Sequence, residues 1–142
     1  MDKSLLNIKF KKKQIINVEG GDVYKIMKKS DFADFKFNEV YFSSINHNYV
    51  KGWKLQEKIT SNICVPIGEV KFTFVSSDFK FSESYIIGEK NYGLLSFPPN
   101  IWYCFKGLSK KKSLILNLID YEHNEKDVKK ISLNNFPINI KI

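Results

Sequence analysis

The sequence predicts an all-β fold of the jelly-roll kind, a β-barrel or sandwich with little helix, on three observations. Short runs of branched and aromatic residues recur along the chain, and several alternate apolar with polar residues at the two-residue period of a strand. Turn residues separate them at steady spacing: Gly20-Gly21, Gly68, Asn91-Tyr92-Gly93 and Pro98-Pro99-Asn100. The long amphipathic stretches that a doubly wound α/β fold requires are not visible. At 142 residues the chain fits one domain, 1–142. A core of this size buries roughly two-thirds of the unfolded chain's surface.

The elements follow in order. Ile8-Lys9-Phe10 opens an N-terminal edge strand, and Lys11-Lys12-Lys13 supplies the charge that keeps such an edge from pairing with another sheet. Gln14 to Val18 is a short apolar strand. Asp22 to Lys29 has Val23, Ile26 and Met27 near helical spacing, so a helical turn and a strand are both open. Phe35, Phe37, Val40 and Phe42 indicate a strand, with a parity change near Asn38-Glu39. Val50 to Glu57 alternates so that Lys54 and Gln56 share one face and Trp53 and Leu55 the other. Asn62 to Ile67, Gly68 and Val70 to Val75 carry the signature of a hairpin. Phe79 to Phe81 and Ser84 to Ile87 give short strand signals. Leu94 to Phe105, bent at its Pro-Pro-Asn corner, is expected to return the chain beside that hairpin. Leu114 to Ile119 is a near-continuous apolar strand broken by Asn117, and 121–130 is a polar loop or short helix. Ile131 to Ile142, with Pro137 among alternating residues, indicates a final edge strand.

Composition narrows the function classes. Hydrophobic content of 43% with 27% charged residues is globular rather than disordered. No run of about 18 apolar residues exists, and the N-terminus lacks the apolar core of a secretory signal, so a cytoplasmic protein with no membrane contact is expected. Cys64 and Cys104 lie in apolar runs without a partner at metal-ligand spacing, which predicts buried reduced thiols. The only histidines, His47 and His123, fall in expected loops, so neither a metal nor another cofactor is expected. The net charge of +8 invites a nucleic-acid reading, yet all 23 basic residues are Lys. Without the planar fork of Arg, specific base readout is disfavoured, leaving unspecific phosphate attraction.

The segments KGWKLQ, PIGEVKF, LLSFPPNIWYCFKG and LILNLIDYEH, in that order and with the tail LNNFPINI, resemble the successive strands of the cupin family of dTDP-4-dehydrorhamnose 3,5-epimerases and their sugar-nucleotide isomerase relatives. The likeness runs from about Gly21 to near the C-terminus. It implies a nucleotide-sugar isomerase of surface-polysaccharide biosynthesis, a dTDP-sugar-like ligand and a homodimer, for which exposed edges at both termini offer the surface.

Residue by residue, the resemblance places the family's catalytic histidine at Lys54, its dyad carboxylate at Asn135 and its tyrosine acid at or near Leu116. Its phosphate-gripping arginine falls at Lys51, a polar pocket residue at Gln56 and a second pocket histidine at Tyr103. Epimerisation beside a ketone needs a base for the α-proton and an acid on the opposite face. Lys54 and Tyr103 are therefore the catalytic candidates, and Lys51, Gln56, Asn62, Asn117 and Asn135 the substrate-binding ones. Two other classes compete: a non-catalytic nucleotide-sugar-binding or scaffold cupin, and a binder of anionic polymers driven by the Lys clusters. A dTDP-sugar 3,4-ketoisomerase is a further relative, and it too uses pocket histidines.

Overall fold

The computed structural model describes residues 5–31 and 34–142. Twelve strands run β1 (Lys9–Lys12), β2 (Ile15–Ile16), β3 (Val23–Tyr24), β4 (Glu39–Ile45), β5 (Val50–Gln56), β6 (Ser61–Ile67), β7 (Glu69–Ser76), β8 (Ser82–Gly88), β9 (Gly93–Phe97), β10 (Ile101–Gly107), β11 (Ser113–Ile119) and β12 (Val128–Lys130). Four single 3₁₀ turns are the only helical segments among the described residues.

Two five-stranded antiparallel sheets face each other. The first has the order β1-β9-β6-β11-β4 and the second β12-β5-β10-β7-β8, with β2 and β3 forming a separate two-stranded hairpin. The layer between the sheets is filled by Ile63, Leu95, Phe97 and Ile115 from the first and by Val70, Phe72, Phe74, Ile87, Ile101 and Tyr103 from the second. Part of each outer face is covered as well. The β2–β3 hairpin and the residues after it bring Ile15, Tyr24, Ile26 and Met27 onto Cys64, Leu94 and Leu116 of the first sheet. The C-terminal tail lays Phe136, Ile138, Ile140 and Ile142 on Trp53, Leu55 and Trp102 of the second.

Two expectations are corrected. Asn62 to Val75 is not a hairpin: β6 pairs with β9 and β11, whereas β7 pairs with β8 and β10. Gly68, at φ 89°, turns the chain from one sheet into the other, and a Cβ there would collide with Ser113. Local residues announce a turn but not which sheet receives the next strand. The tail is not an edge strand. Its alternation is real, but beyond Ile131, whose backbone continues the β12 pairing against Trp53, the apolar side chains bury against the sheet face and the backbone enters no strand; the edge of the second sheet is β12, within the segment read as loop or helix. In β4, Val40 and Phe42 are 46% and 63% exposed, so the strand's apolar parity faces outward. Its other parity, Tyr41 and Ser43, faces the space between the sheets.

Both cysteines are free and buried. Burial pushes the Cys64 thiol up to about 11 and that of Cys104 up to about 12.

Candidate functional site

β5 is paired with β10 through Trp102 opposite Leu55 and Tyr103 opposite Lys54, and then the register slips: Cys104 faces Gly52 rather than Trp53. The slip changes which side chains share a face. Under strict alternation Lys51 would point with Trp53 toward the tail; here Lys51 and Lys54 both line one cavity between the sheets. Gly52 makes the slip possible, since at φ 141° its Cα lies against Cys104, where a Cβ would collide.

The cavity measures about 120 Å³ and is walled by Tyr41, Ser43, Lys51, Lys54, Tyr103 and Asn117 over an apolar base of Ile63, Phe72, Phe105 and Ile115. The Asn117 amide donates to the Tyr41 hydroxyl at 3.0 Å, while its carbonyl oxygen accepts from the Asn62 backbone N–H at 3.2 Å. The Lys51 ammonium donates to the Ser44 carbonyl at 2.8 Å. Lys51 also borders an open groove of about 320 Å³ formed with Ser44, Asn46 and Tyr49, so one cation joins an inner chamber to an outer channel. Tyr103 is held by its rings' neighbours, with the Phe97 centroid at 5.1 Å.

Electrostatics separate the two lysines' roles. The Lys54 pKa is lowered, first by desolvation and then by the charge of Lys130, with Lys51 adding to the effect and Glu125 opposing it. Nζ of Lys54 has no hydrogen-bond or ion-pair partner among the described residues. Burial raises Tyr103, with Tyr41 adding to it and the neighbouring Gln56 side chain opposing. Tyr41 is raised mainly by burial. Both phenols are therefore neutral acids at pH 7.

The structure thus brings Lys51, Lys54, Tyr103 and Asn117 together. Gln56 sits beside Tyr103, 6% exposed, with Oε1 buried and unpartnered among the described residues. Asn62 does not reach the cavity: its side chain bonds the Leu118 carbonyl and Ser96 on the other face of the first sheet. Asn135 does not either. It lies exposed in the turn Leu133–Asn135, on the tail side of the second sheet, because the tail follows the apolar outer face. Leu116 packs on Cys64 and Leu94, away from the cavity, which its neighbours Ile115 and Asn117 face. Sequence reasoning missed Tyr41 and Ser43; the alternation of Val40 and Phe42 sets these two on one face of the strand but does not say that this face is the inner one.

Among the described residues no group of three or more His, Cys, Asp and Glu side chains is placed to hold a metal ion. No described helix is long and apolar enough to cross a membrane.

Two facing sheets with a polar chamber between them define a cupin-type jelly roll. No protein-family model matches the sequence, and no curated protein matches it significantly. Solved structures do match in fold. A dTDP sugar isomerase from Desulfovibrio desulfuricans G20 superposes with a TM-score of 0.86 at 24% identity, over 94% of this chain and 90% of that one. A dTDP-6-deoxy-D-glucose-3,5-epimerase from Legionella pneumophila Philadelphia 1, solved with dTDP-4-keto-L-rhamnose, gives 0.78 at 16% identity, over 89% and 73%. A sugar 3,4-ketoisomerase from Thermoanaerobacterium thermosaccharolyticum, solved with TDP, gives 0.73 at 19% identity, over 88% of each. The fold is that of the dTDP-sugar isomerases and epimerases, as the ordered sequence segments indicated.

Proposed function

We propose that this chain binds a nucleotide-linked keto sugar of the dTDP-4-keto-6-deoxyhexose class and isomerises or epimerises it with altered residues. The observation that carries this reading is the placement of Lys51, which lines both the small chamber between the sheets and the more open groove beside it. The chamber suits part of a sugar ring, and the groove suits the pyrophosphate and nucleoside, whose charge the Lys51 ammonium meets. Inside, a lysine unpaired among the described residues and two neutral phenols face the space where a ketone and its neighbouring carbons would sit, groups that can serve proton transfer next to a carbonyl. No histidine lines the chamber, so the chemistry falls to Lys54, Tyr103 and Tyr41. One domain over 1–142, a cytoplasmic site of action and a place in surface-polysaccharide biosynthesis belong to the same reading. So does a homodimer, for which the outward Val40 and Phe42 on edge strand β4 offer an apolar contact.

Thermal-shift and calorimetric titration with dTDP-, UDP- and GDP-sugars tests the ligand. A sugar nucleotide held at a hundred times its dissociation constant stabilises the chain by about 2.7 kcal/mol. Proton NMR in D₂O then follows exchange at the carbons next to the ketone. Binding with exchange supports the isomerase, binding without exchange leaves a non-catalytic nucleotide-sugar-binding cupin, and no selective binding removes the proposal.

A further inference from the structure

The chamber contains an amine in an unusual position. Lys54 is the cross-strand partner of Tyr103, shares the cavity wall with Lys51, Tyr41 and Asn117, and has no carboxylate or carbonyl bonded to its Nζ among the described residues. A lysine retained only to hold an anion gains from staying charged and solvated. This one is half-buried, with the cations Lys51 and Lys130 as electrostatic neighbours and the single carboxylate Glu125 already bound by Lys130 at 2.8 Å and by His123 at 2.8 Å. Desolvation beside a second cation is the environment that makes a lysine amine nucleophilic.

We infer that Lys54 forms a Schiff base with the ketone of the bound sugar, so that the α-carbon is activated through an iminium ion rather than an enolate. This rests on the ligand class proposed above. The neutral amine attacks the carbonyl carbon and a C–N bond forms. The carbonyl oxygen takes one proton from the amine nitrogen and one from the Tyr41 hydroxyl, then leaves as water. The iminium cation and the Tyr41 phenolate remain. The phenolate is stabilised by the Asn117 amide, which already donates to that oxygen at 3.0 Å. It then removes the α-proton, giving a neutral enamine and restoring the phenol. Reprotonation on the same or the opposite face, the latter with Tyr103 as donor, regenerates the iminium; water adds to its carbon, the C–N bond breaks, and the proton that the water releases returns to the phenolate, restoring the phenol, the amine and the sugar ketone. No oxidant or metal takes part. The iminium carries a positive charge where an ordinary epimerase must stabilise a negative one, which accounts for a lysine serving in a chamber without a histidine–carboxylate pair.

The full chain is incubated with dTDP-4-keto-6-deoxyglucose and sodium cyanoborohydride, and intact mass and peptide mapping are read beside a calorimetric titration. The expected result is one reduced sugar-nucleotide adduct per chain, on Lys54, with trapping slowed at least about tenfold in Tyr41→Phe. Lys54→Arg, which keeps the charge and cannot form an imine, is expected to bind the sugar nucleotide and give no adduct; Lys54→Gln serves if the arginine does not fit. Saturable binding without an adduct overturns the Schiff base while leaving the ligand class standing. Adducts scattered over surface lysines, or undiminished trapping in both Lys54 variants, overturn it equally. Absence of binding in the titration removes the ligand class, and the inference with it.

Discussion

The two faces of the second sheet, over the same strands β5 and β10, are built to different ends. On the outer face Trp53 is 1% exposed and stacks on Phe136 with ring centroids 3.9 Å apart and planes 11° from parallel, while Trp102 and Leu55 complete an apolar layer under the tail. On the inner face, one residue away in sequence, Lys54 stands half-buried, its Nζ without a hydrogen-bond or ion-pair partner among the described residues. The first face gains stability from close packing. The second keeps a desolvated amine and an unpartnered Gln56 oxygen, both of which cost stability. Stability and chemistry are thus divided between adjacent residues of one strand by its alternation, and a register slip at Gly52 adds Lys51 to the inner face.

The largest effect is expected on the packed face. Trp53→Ala removes a fully buried indole and its stacking partner's support, and chemical denaturation is expected to show a loss of about 3–5 kcal/mol. Phe136→Ala loosens the tail and is expected to cost less, about 2 kcal/mol, because Phe136 is only partly buried. Hydrogen exchange then reports faster opening at Trp53 N–H and Ile131 N–H, whose mutual backbone bonds are 3.0 and 3.1 Å. If instead Trp53→Ala leaves stability unchanged, the comparison fails at its stronger end.

Replacing Lys54 is expected to act in the opposite direction. Its pKa is depressed in the fold, so the unfolded chain binds more protons than the folded one, and the penalty is present at neutral pH and relieved as pH rises toward the ordinary lysine value. Lys54→Met is therefore expected to raise the melting temperature at pH 7, with the gain shrinking toward pH 10, while abolishing deuterium exchange into the sugar. A melting temperature lowered at both pH values would mark Lys54 as structural.

Lys51→Ala is expected to leave folding intact and weaken nucleotide-sugar binding about tenfold, the loss of about 1.4 kcal/mol of interaction with the pyrophosphate. Calorimetry at two salt concentrations checks it, since the parent's affinity should fall with salt and the variant's less so.

The smallest effect is expected at Glu125. Hydrogen bonds from Lys130 and His123 hold its carboxyl down to about 2, so the folded state gains from the charged form above the ordinary carboxylate value and loses that gain as pH falls from about 4.5 through about 2. Glu125→Gln should flatten acid unfolding slightly in that window. It also leaves the Lys130 charge uncompensated near Lys54, so the pH profile of any Lys54-dependent step is expected to move to lower pH.

What the sequence by itself determined is local. The two-residue alternation of 50–57 set Lys54 and Gln56 against Trp53 and Leu55, and Gly68 and Pro98-Pro99-Asn100 marked turns, all of which depend on neighbours within a few residues; the order of the segments from KGWKLQ to LILNLIDYEH indicated the fold. Tertiary structure decided which sheet each strand enters, because a turn residue fixes a bend and not the partner across it. It placed Lys51 in the chamber through a slip visible only against β10, and it turned Tyr41 inward through the register of β4 on β11, which sets Tyr41 opposite Asn117. It withdrew Asn62 to the Ser96 and Leu118 side and Asn135 to the tail, since which face of a sheet is chamber and which is core follows from what packs against it, and the partners of Asn62 stand 34 and 56 residues away along the chain.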